Sequence, residues 1–270
     1  MKISVFYDHL IVASQQTGQP LLDILKRVQE FGIEGVECDI EHIRGGKEEL
    51  KGNLQEAKLK VASVYGFFDF GNDLDYEKAY AFIDDIAYMG ARKALVIPGF
   101  VKEKQGELYK VALENMVDVL NKLCDYAETK NITVTLEDFD DYTAPFSTDE
   151  ELHWFMKQVP KLRCTFDTGN FMYSEIDEIK AFELLKDKIV HVHCKDRSLT
   201  PAKGEEPKNT VKGRAMYSAP VGYGCIQMEE IISRLKKIEY RGFLAIEHFG
   251  SQQQIEYIEK SARWILSNIR

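Results

Sequence analysis

The sequence predicts one α/β domain, a closed (β/α)8 barrel that extends over residues 1–270. Short β-branched or aromatic runs alternate with amphipathic stretches of helical period, which is typical of βα units and a parallel sheet. Eight such runs are present, and 270 residues suit one barrel, which typically needs about 250. A doubly wound open sheet is the competing arrangement, but no glycine-rich phosphate turn follows the first strand.

The elements follow one another without a linker rich in proline, glycine or serine. The predicted strands, in chain order, are KISVFY, GVECDI, KVASVYG, KALVIPG, ITVTLED, RCTFDTG, IVHVHCKD and FLAIEH. Predicted helices include PLLDILKRVQEFG, KEELKGNLQEAKLK, YEKAYAFIDDIAYMG and LYKVALENMVDVLNKLCDYAETKN. The first of these has Pro20 at its start and Gly32 just past its end, as helix boundaries often do. The segment 198–224 is too polar and too rich in glycine and proline for a helix, and loops of this length are usually functional or mobile.

Composition excludes several classes of partner. The net charge of -9 and the isoelectric point near 5.3 argue against nucleic acid or an anionic membrane, because both reward a basic face. The five cysteines are scattered without a C-x-x-C pair, which predicts free thiols in a reducing compartment. No apolar run approaches the roughly 20 residues that span a bilayer, and the N-terminus looks more like a strand than a signal peptide. We therefore expect a cytoplasmic protein.

Four polar residues stand where predicted strands end. They are Glu137 in VTLEDF, Asp167 in CTFDTGN, His193 in HVHCKD and Glu247 in AIEHF. The carboxyl ends of barrel strands form the site of such enzymes, and an unpaired carboxylate is costly to bury. Each acid alone could cap a helix or make a turn, but four such residues on four consecutive strands are harder to explain in that way. Three carboxylates and an imidazole suit Mn²⁺, our expected ion, or Mg²⁺, Co²⁺ or Zn²⁺.

The strand IVHVHC places two histidines on one side, because side chains alternate along a strand. His193 should lie about 6.6 Å nearer the rim than His191, so we assign His193 as the ligand and His191 to a lower layer. Lys195 continues the same face and could meet a substrate hydroxyl, carbonyl or phosphate, or make a rim salt bridge.

Aromatic residues could form the walls of a pocket for a ring-sized polar ligand. Tyr7 ends the first predicted strand, and Phe67, Phe68 and Phe70 follow the third. A place in the core is the more common role of such residues. Three further histidines should be ordinary surface or capping residues, and a fourth should face away from the metal: His9, His42 and His153, and His248.

Together, VTLEDF, FDTGN, HVHCKD, PVGYGCIQMEEI and GFLAIEHF resemble the xylose isomerase-like TIM-barrel superfamily, in particular its sugar phosphate isomerase/epimerase family. The resemblance covers essentially the whole chain. It implies one divalent metal bound by Glu137, Asp167, His193 and Glu247. It also implies that Glu137 and Glu247 stand on opposite sides of the substrate and exchange protons with it. Besides Tyr7, we take as substrate-binding candidates Asn170, Lys195 and Arg197.

Three positions depart from the pattern of ketose 3-epimerases in that family. Asn170 stands where a histidine is usual, and Leu199 where an arginine is usual, although Arg197 is nearby. Tyr223 replaces the usual acidic residue of the Gly-x-Gly turn. These departures disfavour a simple tagatose-type epimerase and leave the substrate open.

The function that follows is a divalent-metal-dependent isomerase or epimerase of a sugar or sugar phosphate. Proton abstraction next to a carbonyl creates an enediolate, which a metal stabilises, while carboxylates move the proton. An inosose dehydratase-like lyase would use the same residues. A non-catalytic sugar-binding barrel would not need both glutamates, and an AP-endonuclease-like phosphodiesterase needs a histidine-rich zinc cluster and a basic face that this chain lacks. A homodimer or homotetramer is plausible for the family.

Six cations in and near the long loop favour an anionic substrate, unless that loop is simply solvated: Lys195, Arg197, Lys203, Lys208, Lys212 and Arg214.

Overall fold

The structure, a computed structural model, describes residues 1–269. Its parallel strands close into a barrel in the order β1-β11-β7-β6-β5-β4-β3-β2, which confirms the predicted fold class. The barrel strands are β1 (Lys2–Phe6), β2 (Gly35–Asp39), β3 (Lys60–Phe67), β4 (Lys93–Ile97), β5 (Thr133–Leu136), β6 (Arg163–Asp167), β7 (Ile189–Cys194) and β11 (Phe243–Ile246). The strands β8 (Asp196–Ser198), β9 (Lys208–Asn209) and β10 (Ala215–Ala219) form a separate small sheet.

Helices connect the barrel strands. They are α1 (Tyr7–Thr17), α2 (Leu21–Glu30), α3 (Ile40–Glu56), α4 (Tyr76–Met89), α5 (Gly106–Thr129), α6 (Asp149–Gln158), α7 (Glu178–Leu185), α8 (Met228–Lys237) and α9 (Gln254–Ile269). Each buries an apolar stripe, such as Ile24, Leu25 and Val28 of α2, because residues three and four apart share a helix face. Within residues 1–269, none of these helices combines the length and apolar character that crossing a membrane requires.

The barrel interior is polar, while the outer faces of its strands pack against the helices. Inside the barrel, Thr165 of β6 donates a hydrogen bond to Thr135 of the neighbouring strand β5, at 2.8 Å. Phe166, the next residue of β6, points outward and packs edge to face on Phe182 of α7. This alternation follows from the two-residue period of a strand. It turns every second side chain of β7 inward, and His191 and His193 are both fully buried there.

The long segment that follows β7 is partly ordered into the small sheet, which the sequence did not predict. Strand β10 lies between β8 and β9 and pairs antiparallel with both. The segment is held at Asp196, whose carboxylate accepts hydrogen bonds from four backbone N–H groups, those of Arg197, Gly222, Gly224 and Ile226. A Cβ on Gly224 would collide with this carboxylate, so the turn requires glycine there. All five cysteines are free thiols, as predicted; Cys225 is exposed and the other four are buried.

Candidate metal centre

The four side chains predicted at the strand ends meet around one imidazole nitrogen. Nδ1 of His193, on β7, lies 2.8 Å from Oε2 of Glu137. It lies 3.3 Å from Oε2 of Glu247 and 3.9 Å from Oδ2 of Asp167. Glu137 follows β5, Asp167 ends β6 and Glu247 follows β11. We refer to these four residues as the rim cluster.

Three buried atoms of the rim cluster lie close to polar neighbours without forming a well-directed hydrogen bond. Among the described residues, these atoms are Oε2 of Glu137, Oδ2 of Asp167 and Nδ1 of His193. An atom of each residue lies within 4.8 Å of an atom of the other two. Buried polar atoms are normally paired or coordinate a metal, so two carboxylates and an imidazole left in this state fit a divalent cation. Glu247 is not part of this group of three, and its Oε2 lies 3.3 Å from Nδ1 of His193.

Glu37 on β2 orients the histidine of the cluster. Its Oε1 lies 3.0 Å from Nε2 of His193, and its Oε2 lies 2.7 Å from Nε2 of His191. An imidazole that donates Nε2–H to a carboxylate presents the lone pair of Nδ1 on its other side. Glu37 therefore aims Nδ1 of His193 at the rim cluster and places His191 below it. The sequence patterns did not single out Glu37, although an acid between Val36 and Cys38, inside a predicted strand, was a signal that could have indicated it.

The backbone after β6 orients Asp167. Its Oδ1 accepts hydrogen bonds from the N–H groups of Gly169 and Asn170, at 2.7 and 2.8 Å, which leaves Oδ2 for the rim cluster. The turn passes close to β7, because a Cβ on Gly169 would lie 2.5 Å from the carbonyl oxygen of Lys195. The Asp-Thr-Gly turn foreseen as an alternative role is thus present, and it leaves one carboxylate oxygen free.

Lys195 binds the acids of the cluster from the rim side. Its Nζ lies 2.5 Å from Oε1 of Glu247 and 3.4 Å from Oδ2 of Asp167. The same Nζ donates a hydrogen bond to Oδ1 of Asn170 at 2.7 Å. The amide of Asn170 in turn donates to the carbonyl oxygen of Asp138. The ammonium group is therefore fixed beside the cluster rather than free in solvent.

The two glutamates of the cluster differ in proton affinity. Burial raises the pKa of Glu137, and it raises the pKa of Asp167 to about 7 although Lys195 acts in the opposite direction. Burial has the same direction at Glu247, but Lys195 and His193 outweigh it, and the pKa of Glu247 lies below its usual range. Glu247 is therefore held ionised, whereas Glu137 binds a proton more readily.

A cavity of about 590 Å³ opens above the rim cluster. Glu137, Glu247, Lys195 and Asn170 form part of its floor, with apolar and aromatic walls around them. The aromatic lining residues are Phe6, Tyr65, Phe67, Phe139, Tyr217 and Phe249. A space of this size with a few polar groups is typical of a small-molecule site.

Arg197 also lines the cavity, on β8, but it is already paired. Its Nη2 lies 2.8 Å from Oδ2 of Asp140, and Nζ of Lys208 lies 2.7 Å from Oδ1 of the same carboxylate. Burial raises the pKa of Asp140, but Lys195, Arg197 and Lys208 outweigh it and lower that pKa. We call Asp140, Arg197 and Lys208 the cavity-wall triad.

Tyr7 is the predicted substrate-binding residue that the structure does not bring to the cavity. Strand β1 ends at Phe6, one residue earlier than predicted, and Tyr7 begins α1. The ring of Tyr7 is buried and packs edge to face with His42, while Phe6 lines the cavity instead. The direction of a side chain reverses with each strand residue, so an end misplaced by one residue selects the wrong neighbour.

The predictions for the aromatic residues after β3 and for the remaining histidines are partly confirmed. Phe67 lines the cavity, whereas Phe68 and Phe70 are buried core residues. His9 is buried rather than on the surface, and it stacks on His248 at 4.9 Å between ring centroids. His248 thus points away from the rim cluster, as its place next to Glu247 predicts.

Comparison with known proteins identifies the family. A family model described as xylose isomerase-like TIM barrel matches residues 25–268, and the chain belongs to that family. An inosose dehydratase from Clostridium beijerinckii is 27% identical over 218 residues, which cover 73% of this chain and 72% of that protein.

Two solved structures are similar in fold over nearly the whole chain. The IOLI protein with a bound zinc atom has a TM-score of 0.75 and 17% sequence identity, and the match covers 100% of this chain and 98% of the other. The D-allulose 3-epimerase from Methylomonas sp., in complex with D-allulose, has a TM-score of 0.75 and 17% identity over 99% and 97% of the two chains. At these identities the likeness concerns the fold.

Proposed function

We propose that this protein is a divalent-metal-dependent enzyme that isomerises or epimerises a sugar by proton transfer next to a carbonyl group. The observation that carries the proposal is the convergence of the carboxylates of Glu137, Glu247 and Asp167 on Nδ1 of His193, at 2.8, 3.3 and 3.9 Å, at the floor of the cavity. Support for a metal comes from the bound zinc of the IOLI protein, and support for a sugar from the D-allulose complex of the epimerase.

The residues that would hold the metal are Glu137, Asp167, His193 and Glu247, with Mn²⁺ as the expected ion. A divalent ion bound there would act as a Lewis acid on the charge that develops when carbon next to a carbonyl loses its proton. Glu137 and Glu247 are the two carboxylates that would remove a proton from the substrate and return one. Lys195 and Asn170 line the cavity beside these carboxylates and are the side chains that would meet the hydroxyl groups of a bound substrate.

A metal-dependent lyase is the second candidate, because the inosose dehydratase of Clostridium beijerinckii matches most of this chain. Loss of water from a ketone begins with the same proton abstraction and then needs an acid to protonate the departing hydroxyl group. The two glutamates could fill those roles as well. The products differ, since a dehydratase forms an unsaturated ketone that absorbs ultraviolet light.

Deuterium exchange tests the proposal. The Mn²⁺-loaded protein is incubated in D₂O with free ketoses, their phosphates and inosose, and deuterium uptake next to the carbonyl is measured. We expect uptake from at least one sugar, and Glu137→Gln and Glu247→Gln should each lower it by about a hundredfold or more, the usual contribution of a positioned acid or base. Glu30→Gln, on the exposed end of α2, is the control and should retain the rate.

The exchange result also separates the two candidate activities. Deuterium uptake without change in ultraviolet absorbance supports an isomerase or epimerase, and uptake accompanied by an unsaturated product supports a lyase. If no sugar exchanges, or if both glutamine variants exchange at the wild-type rate, the proposed function is wrong.

A further inference from the structure

The charged side chains that line the cavity indicate which class of substrate it can bind. Seven acidic side chains line it, against three basic ones. A divalent ion and Lys195 would balance the three carboxylates of the rim cluster. Four further acids remain on the walls outside the cavity-wall triad, namely Asp8, Asp39, Glu205 and Glu206. Asp8 is paired with His42, and the other three acids keep the walls acidic with a metal in place.

The two basic residues of the walls are not available to an anion. The side chain of Asp140 is 10% exposed and that of Arg197 is 7% exposed, so their ion pair is shielded from solvent. The second oxygen of Asp140 binds Lys208, whose side chain is 44% exposed. A phosphate or carboxylate group at this wall would have to break both pairs or lie beside the carboxylate of Asp140. Like charges in such close contact are strongly unfavourable.

The other cations that made an anionic substrate attractive lie elsewhere. Arg214 pairs with Glu175 at 3.2 Å, and Arg214, Lys203 and Lys212 are not among the residues that line the cavity. The aromatic walls suit a different ligand, since the C–H faces of a sugar or cyclitol ring pack against aromatic rings while its hydroxyl groups bind the polar floor.

We propose that the substrate carries no phosphate or carboxylate group, and that Asp140 enforces this selection by occupying Arg197 and Lys208. The substrate class is then an uncharged ketose or cyclitol ketone. This inference rests on the proposed function, and it replaces the expectation of an anionic substrate that the cations of the long loop suggested.

Binding of inorganic phosphate tests the role of Asp140 without turnover. Phosphate, D-fructose and D-fructose 6-phosphate are titrated calorimetrically into Mn²⁺-loaded wild type, Asp140→Asn and Asp141→Asn. We expect Asp140→Asn to bind phosphate and the sugar phosphate at least about tenfold more tightly than wild type, because it leaves two cations unpaired. Asp141, whose Oδ1 accepts hydrogen bonds from Thr143, does not line the cavity, so Asp141→Asn is the matched loss of charge and should behave as wild type.

A double variant tests whether the added phosphate affinity comes from the cations that Asp140 releases. Lys208→Gln in the Asp140→Asn background should lower the added phosphate affinity, because only Arg197 then remains unpaired. The circular dichroism spectrum and the melting temperature show whether each variant is folded. Equal phosphate affinity of wild type and Asp140→Asn, including no binding to either, would overturn the role of Asp140. Tighter binding of the sugar phosphate than of D-fructose by wild type would overturn the uncharged substrate.

The deuterium exchange panel keeps the two proposals distinguishable. Exchange confined to phosphorylated sugars would refute the uncharged substrate and leave the proposed proton transfer standing. Exchange with no sugar at all would refute the proposed function, while the phosphate titration would still decide whether Asp140 masks the two cations.

Discussion

Oε1 of Glu37 lies 3.0 Å from Nε2 of His193, on the side of the imidazole that faces away from the rim cluster. The carboxylate is fully buried and its other oxygen is taken by His191, so it cannot turn elsewhere. The contact with Glu37 thus fixes the orientation of the ring of His193 before any ligand arrives. Such carboxylate–histidine pairs tune the affinity of the metal sites behind which they lie.

We expect Glu37→Gln to weaken Mn²⁺ binding by about 10- to 100-fold, the usual cost of losing a carboxylate behind a metal-binding histidine. The amide keeps the shape of the side chain but not its charge. Calorimetric titration of Mn²⁺ into the metal-free protein measures the effect. Glu34→Gln, an exposed neighbour that pairs only distantly with Lys2 at 3.8 Å, is the matched control. Wild-type affinity in a folded Glu37→Gln protein would contradict the orienting role.

The two histidines of β7 should differ in their effect on metal binding. His193→Ala removes the Nδ1 atom at the centre of the rim cluster, whereas His191→Ala removes only a neighbour of Glu37. We therefore expect His193→Ala to lose bound Mn²⁺ after loading and desalting, as Asp167→Ala should, and His191→Ala to retain most of it. Metal content is measured by mass spectrometry. A greater loss in His191→Ala would mean that the ion binds lower in the barrel.

Lys195 should be needed for turnover and not for metal binding. Its ammonium group contacts Glu247 and Asp167, and a cation in that place competes with a metal rather than helping it. We expect Lys195→Met to bind Mn²⁺ at least as tightly as wild type, while deuterium exchange into the substrate falls by about a hundredfold, typical of losing a positioned charge. A variant that is folded but metal-free would contradict this separation.

The pair of Asp8 and His42 should make stability depend on pH. The hydrogen bond with Asp8, 2.9 Å long, raises the pKa of His42 above its ordinary value of 6.5 although burial opposes it. Burial raises the pKa of Asp8, but His42 and Tyr65 outweigh it and the pKa is lowered. The stabilisation from His42 is therefore complete below the ordinary histidine pKa while Asp8 stays ionised, and it is lost as the pH rises through the raised pKa.

Accordingly, His42→Gln should lower the melting temperature more at about pH 5.5 than at about pH 8.5. Thermal melts of wild type and variant at both values measure the difference. His153 provides a control of opposite sign, because burial lowers its pKa, and its glutamine variant should lose less at the lower pH. An equal loss from His42→Gln at both values would show that the pair contributes nothing through its charge.

The predictable part of the site is the part that depends on local alternation. The convergence of Glu137, Asp167, His193 and Glu247 was predictable because each stands at the end of one strand, and parallel strands in a barrel bring such ends together. The role of Glu37 was not accessible in this way, since it lies 154 residues from His191 in the sequence. Their contact depends on which strands face each other across the closed barrel, and no local pattern encodes that.

The secondary-structure elements that were not predicted have sequence patterns that are too short or ambiguous. Helix α1 begins directly after β1, at a position where Phe6 provides no side-chain cap, so its first residues read as the end of the strand. Strands β8 and β9 have only three and two residues, too few to show an alternation. The neutralised charge of Arg197 escaped prediction because its partner Asp140 stands in a separate loop.

The four hydrogen bonds to the carboxylate of Asp196 affect how the sequence of this loop can change in evolution. The stretch between β8 and Ile226 starts and finishes at one carboxylate, and between those points it contributes Glu205, Lys208 and Met216 to the cavity. Its interior could be exchanged for another sequence of different length while the two ends remain anchored. The rim cluster on the barrel strands would be untouched. The part of the chain that shapes this wall of the cavity is thus separate from the part that holds the rim cluster, and each can change in evolution without the other.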